Sequence, residues 1–220
     1  RRGVASERII LTGNPAWDPL CTRSRGRPAS LGLPDRQVAT VATSWVSPDG
    51  VCPDLTSREH DRRTRVAFRA LACLRAKGMD LSVVLKLHPS APPGDERRLE
   101  QMASEAGLSI DLVARYRLAE ILRASDVLVA LPSTIAIESV LAGTPVIVPE
   151  CSFEGGAVLG GRLAPDCLAK TIEDVLCRST ATAEFAARRL DFLERYNGRC
   201  DGRAAERNVD RLVVQSVCGG

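Results

Sequence analysis

The 220-residue chain is nearly without lysine: Lys77, Lys86 and Lys170 are the only ones in a basic complement of 30 residues. That is an arginine bias of composition, not the mark of a partner. Basic and acidic residues almost cancel, at 30 against 27, for a formal net charge of +3, so there is no basic field to draw in a nucleic acid. Two histidines and eight cysteines (Cys21, Cys52, Cys73, Cys151, Cys167, Cys177, Cys200, Cys218) contain no Cys-x-x-Cys pair. Neither a zinc site nor the disulfide framework of a small secreted protein is indicated, and reduced cytosolic thiols are the expectation. No apolar run approaches the roughly 20 residues that span a bilayer, and no basic-then-apolar leader opens the chain. It opens on Arg1-Arg2-Gly3, without methionine, as a fragment or a processed chain does.

What is present is apolar content, 45%, sufficient for one main domain with a substantial core. Its organisation is plainest in residues 125–149. Val127 to Leu131 is an unbroken apolar run of the kind found in parallel strands covered on both faces, and Val146 to Val148 is a second. Between them Pro132-Ser133-Thr134 supplies a breaker and hydroxyl caps, Ile137, Val140 and Leu141 recur at helical spacing, and Gly143 stands where a helix C-terminus takes a left-handed residue. This is a βαβ unit. Ser133 and Thr134 then fall at the carboxyl edge of a sheet, where α/β folds hold ligands. The first-turn N–H groups and the helix dipole favour an anion there, phosphate being the natural guest. Glu138 lies one turn beyond Thr134 on the same face; it would repel phosphate but suits a pair of sugar hydroxyls. The local alternative is that Ser133 only caps a helix and Glu138 is a solvated helix residue.

The remaining segments repeat the alternation. Residues 8–11 read as a short strand broken by Gly13-Asn14-Pro15, a turn signal, and residues 21–36, rich in Gly, Pro and Arg, as an exposed linker. Gln37 to Thr43 is a strand. The loop at its carboxyl end offers Ser44 and Ser47 to a phosphate and Trp45 to a base or an acceptor ring, or else Trp45 is a partly buried anchor. Glu59 to Ala76 is a crossover helix stopped by Gly78, and Leu81 to Leu87 is a strand ending in His88-Pro89. His88 either serves a phosphate or a proton at that edge or is satisfied by a carbonyl. Asp95 to Ala106 is a helix, Leu108 to Val113 a strand and Leu118 to Ala124 a short helix. Asp166 to Leu176 and Ala183 to Arg195 are amphipathic helices. Glu150 to Gly156 forms a third carboxyl-edge loop, whose Gly155-Gly156 permits close backbone approach. The pattern predicts an α/β protein with a doubly wound parallel sheet. Its expected divisions are an inter-domain segment and linker over 1–36, the main domain over 37–196, and a C-terminal helix and tail over 197–220.

Four pieces carry a resemblance. Asp126…Ser133-Thr134…Glu138…Ala142-Gly143-Thr144-Pro145-Val146 resembles the nucleotide-sugar-binding segment of GT-B fold glycosyltransferases and of their relative UDP-N-acetylglucosamine 2-epimerase. Thr12-Gly13-Asn14-Pro15…Asp18 resembles the segment by which that epimerase and related surface-polysaccharide transferases enter their second domain, near the inter-domain cleft. Lys86-Leu87-His88-Pro89 is similar to the strand ending of capsule and teichoic-acid type transferases, and Asp201-Gly202-Arg203-Ala204…Arg207 to the closing segment of the epimerase and its relatives.

The resemblance implies a Rossmann-like sheet forming the C-terminal half of a GT-B fold. Ser133 and Thr134 would hold the donor phosphates and Glu138 the ribose, with His88, Ser44, Trp45, Gly13 and Asn14 as further substrate-binding residues. The implied activity is nucleotide-sugar-dependent glycosyl transfer in surface polysaccharide or glycan synthesis, without cofactor. Helix N–H groups and hydroxyls would stabilise the departing diphosphate, and no Asp-x-Asp is present to hold a metal. Expected partners are a nucleotide-sugar donor, a UDP-sugar first, a glycan or lipid-linked acceptor, and an N-terminal domain that supplies the acceptor site, without which the fragment is inactive. The expected location is the cytoplasm, free or peripheral at the inner face of the membrane. The alternatives are the 2-epimerase, whose Gly-Gly pair and acidic cluster are here Ser133-Thr134 and a single Glu138, and a sugar-nucleotide-binding domain without catalysis. Phosphotransfer of the teichoic-acid kind is third, favoured by His88 but lacking paired serines after an Asp-Tyr.

Overall fold

The computed structural model describes residues 10–21, 26, 28–44, 56–150, 158–160, 162–177 and 183–210. Trp45 and the glycines of the 150–156 loop lie outside the described residues. Six parallel strands form one sheet: β1 (Gln37–Ala42), β2 (Leu81–Lys86), β3 (Leu112–Ala114), β4 (Val127–Ala130), β5 (Val146–Ile147) and β6 (Val158–Leu159), in the order β3-β2-β1-β4-β5-β6. The helices are α1 (Asp18–Cys21), α2 (Ser57–Ala76), α3 (Asp95–Glu105), α4 (Leu118–Ala124), α5 (Ile135–Ala142), α6 (Pro165–Cys177) and α7 (Ala183–Tyr196).

The strands are mostly apolar because both faces are covered, and their side chains divide with period two. Ala39, Val41, Val83, Leu85, Val127, Val129 and Ile147 join Phe68 and Leu71 of α2, Leu99 of α3 and Ile172 of α6 on one face. Ala42, Leu128, Ala130 and Val146 meet Val140 and Leu141 of α5 and Phe192 of α7 on the other. Helices on opposite faces are what right-handed crossovers demand when the chain first winds outward from β1 and then returns past it to β4. The strands' N-terminal ends are tied by carboxylates: Asp126 accepts from the Val38 N–H at 2.8 Å, and Asp111 accepts from the Val83 N–H at 2.7 Å and from Arg75 at 2.6 Å. Inside, Thr40 and Ser125 sit 2.6 Å apart. Ser125 gives its one proton to the Ile121 carbonyl at 2.6 Å, so Thr40 donates to Ser125.

Several expected boundaries move. Ile10 to Asn14 form no strand, and Leu11 is 85% exposed; residues 8 and 9 of the expected strand lie outside the described residues. The strand expected over Leu108 to Val113 pairs only over Leu112–Ala114. Residues 106–108 still close α3, with Gly107 left-handed at φ 73° and the Leu108 N–H bonded to the Ala103 carbonyl. β6 was not foreseen, being only two residues long. Within the expected linker, the 3-10 turn Ala29–Leu31 buries Leu31 against Val38, Val84 and Ile121.

Candidate functional site

The order of the sheet reverses between β1 and β4. α2 lies on one face of the sheet and α5 on the other, and a crevice opens at the carboxyl ends of the strands where the order reverses. Its volume is about 580 Å³, a size suited to a small-molecule ligand (roughly 300–1,000 Å³). Four strand ends build it: Thr43 and Ser44 after β1, Lys86 to Pro89 at β2, Arg115 to Leu118 after β3, and Pro132 to Ile135 with Glu138 after β4.

Ser133, Thr134, Glu138, His88 and Ser44, all anticipated from the sequence, come together on this one crevice. Thr134 occupies the N-cap position of α5 with helical angles (φ −60°, ψ −20°), and its side chain makes no capping hydrogen bond. The Glu138 N–H returns to the Thr134 carbonyl at 3.1 Å, which sets the carboxylate one turn behind that hydroxyl. Glu138 is half-buried and not a solvated helix residue. Burial raises its pKa above the usual carboxylate range, and the indole of Trp17 and the Lys86 ammonium oppose the shift.

His88 is held by its neighbours. Its N–H donates to the Thr43 hydroxyl at 3.1 Å, and its Nδ1 accepts from the Ser90 N–H at 3.1 Å. The ring proton therefore sits on Nε2, which makes the imidazole a donor for an anion. Burial, and then Lys86, lower its pKa below the ordinary histidine value, so it is neutral near pH 7.

Gly13 and Asn14 are not brought to this crevice. They bound a separate cavity of about 370 Å³ with Trp17 and Asn197, and their bonds serve chain geometry: the Asn14 side chain caps the 3-10 turn Pro15–Trp17, and its N–H donates to Asn197 Oδ1 at 2.9 Å.

Sequence reasoning missed Arg115, Tyr116 and Arg117, and it quoted Lys86 only within the Lys86-Leu87-His88-Pro89 strand ending, not as a residue of the site. The carboxyl-edge rule finds Arg115 to Arg117 once β3 is ended at Ala114; these residues give the crevice the basic side that the loop after β1 lacks. Lys86 is 4% exposed and its Nζ donates to the carbonyls of Leu87 and Arg115, each at 2.7 Å. Arg115 ties the loops together by donating to the Pro89 and Ala91 carbonyls at 3.1 and 2.6 Å.

Strand order, two-sided helical cover and a crevice at the switch point define a Rossmann-like α/β domain. No family model and no curated protein matches the sequence. Among solved structures, a UDP-N-acetylglucosamine 2-epimerase superposes with a TM-score of 0.63 at 15% identity over 97% of this chain and 53% of its own. Staphylococcus aureus MnaA, solved with UDP, superposes with 0.61 at 15% identity over 96% and 55%. The C-terminal domain of a group 1 glycosyl transferase family protein, LpcC, from Francisella tularensis gives 0.58 at 14% identity over 81% and 96%. The fold is thus that of one Rossmann-like half of a GT-B protein, and the chain spans about half the length of the two larger proteins.

Proposed function

We propose that the crevice binds the nucleotide part of a nucleotide sugar, and that the chain is the donor-binding half of a metal-independent glycosyltransferase acting in surface polysaccharide or glycan synthesis. The observation that carries this is the grouping of Ser133, Thr134 and Glu138 at the switch point, opposite Lys86. Ser133, Thr134 and the first turn of α5 are suited to a diphosphate, with the His88 Nε2–H and the Lys86 ammonium as its other donors. Glu138, one turn further in, accepts from the ribose hydroxyls. Residues 37–196 form the nucleotide domain in this proposal; an N-terminal domain supplies the acceptor site, and the acceptor is a glycan or a lipid-linked glycan.

Calorimetric titration of the chain with UDP, CDP, GDP and ADP tests the proposal. Binding of at least one, UDP first, is expected. Glu138→Ala should weaken it by about 1–3 kcal/mol through a lost charged hydrogen bond while the circular dichroism spectrum stays unchanged. Absence of binding by all four nucleotides defeats the proposal, and unchanged affinity in the variant removes Glu138 from the site. Joined to its N-terminal domain, the protein is expected to transfer sugar from UDP-N-acetylglucosamine only when an acceptor is present; a C2 epimer formed without acceptor would select the epimerase.

A further inference from the structure

β2 and β3 run in register with Lys86 beside Ala114, and the Leu87 N–H bonds the Ala114 carbonyl at 2.9 Å. The chain then turns at once. The Ala91 N–H closes on the His88 carbonyl at 3.0 Å, with Pro89 in the second place of the turn, where its fixed φ suits it. Within the turn the Ser90 N–H donates to His88 Nδ1 at 3.1 Å. Pro89 and Ser90 are exposed, and the turn is anchored from across the crevice wall. Arg115, the first residue after β3, gives its Nη1 to the Pro89 and Ala91 carbonyls at 3.1 and 2.6 Å. The buried Lys86 fixes Arg115 in its turn, since its Nζ donates to the Arg115 carbonyl at 2.7 Å. His88, Pro89, Lys86 and Arg115 all line the crevice.

We infer that Arg115 is a positioning residue of the nucleotide site, its guanidinium holding the 88–91 turn so that the Ser90 N–H keeps His88 in the Nε2–H form that donates to the diphosphate. The inference rests on the proposed role of His88 toward that diphosphate. A neutral imidazole can carry its proton on either nitrogen, and only the Nε2–H form leaves Nδ1 free to accept from Ser90. If the turn opened, that bond would be lost. The ring would then present a lone pair to the phosphate for part of the time, and a lone pair repels an anion. Both bonds that the structure gives the Arg115 guanidinium go to carbonyls, so Arg115 acts on the ligand through His88.

Nitrogen NMR of the whole chain, labelled with 15N-histidine and held at about pH 8 where the ring is neutral, reads the tautomer. The chain has two histidines, and the His88 signal is the one lost in His88→Ala. The parent should show the Nε2–H form. Arg115→Met keeps an apolar stem and removes the donors; its His88 should become a mixture of tautomers, and UDP should bind about tenfold more weakly. In the His88→Ala background the same substitution should change UDP affinity by less than about twofold, because its effect passes through the ring. Arg115→Lys, whose ammonium stands one bond shorter, should fall between parent and Arg115→Met in both readouts, and it replaces Arg115→Met throughout if that variant does not fold. An Nδ1–H form in the parent, parental tautomer or affinity in the folded variant, or failure of both variants to fold overturns this inference alone. So do full additivity with His88→Ala and unchanged UDP affinity in His88→Ala itself. A parent chain that binds no nucleoside diphosphate overturns it together with the functional proposal.

Discussion

Lys86 shows how one side chain can be pulled two ways by the same site. Burial lowers its pKa from 10.5 to about 8, with Glu138 opposing the shift and Arg115 adding to it. Between about pH 8 and 10.5 the unfolded chain holds a proton that the folded chain has released, so folding stability from this residue rises with pH across that window. The contribution is fully present above 10.5 and gone below about 8. Lys86→Met does not titrate, so the parent should gain about 1–2 kcal/mol relative to it between pH 7.5 and 9.5 in urea denaturation. Equal shifts in both chains would remove the buried-lysine account. The proposed nucleotide site predicts the opposite trend for ligand: above pH 8 the crevice loses a cation, and UDP affinity should fall in the parent but not in the variant.

Among the elements, α5 carries the site at its first turn while its far end is locked. Gly143 takes the left-handed conformation at φ 76°. Arg189 from α7 donates to the carbonyls of Val140 and Leu141 at 2.7 and 2.6 Å, satisfying groups that a helix end leaves open. Arg189→Ala takes this partner from the Leu141 carbonyl while the Val140 carbonyl keeps the Gly143 N–H at 3.1 Å, so it should cost about 1–3 kcal/mol and lower the melting temperature by about 2–4 °C for each kcal/mol in a chain of this size. A variant that melts with the parent would mean that water serves those carbonyls equally well. α5 itself was legible: a breaker, a helical period and a glycine stop are local signals, and they placed Ser133, Thr134 and Glu138 at the carboxyl edge of the sheet, where the structure has them. Arg189 was not, because nothing near it in sequence says which carbonyls it will meet. At β3 the difficulty was different, since a three-residue strand has too little apolar pattern to fix its end, and Arg115 to Arg117 fell from view with it.

At the scale of the whole molecule, the two ends of the described chain are part of one structure with the sheet. The resemblance of residues 12–18 and 201–207 to family segments suggested two separate landmarks; in space they are one clasp, with Asp18 capping the helix at 204–210. A side chain capping the N–H groups of a remote helix contributes what a local cap does, so Asp18→Ala should cost about 1–2 kcal/mol. A chain ending at residue 196 loses more, because Asn197, Arg207 and the capped helix go together, and the turn that carries Trp17 is left with fewer anchors. Chemical denaturation of the parent, Asp18→Ala and the 196-residue chain orders the three: midpoints should fall in that sequence. If instead residues 37–196 are self-sufficient, all three midpoints coincide. The contacts of the clasp would then serve only to park the chain ends.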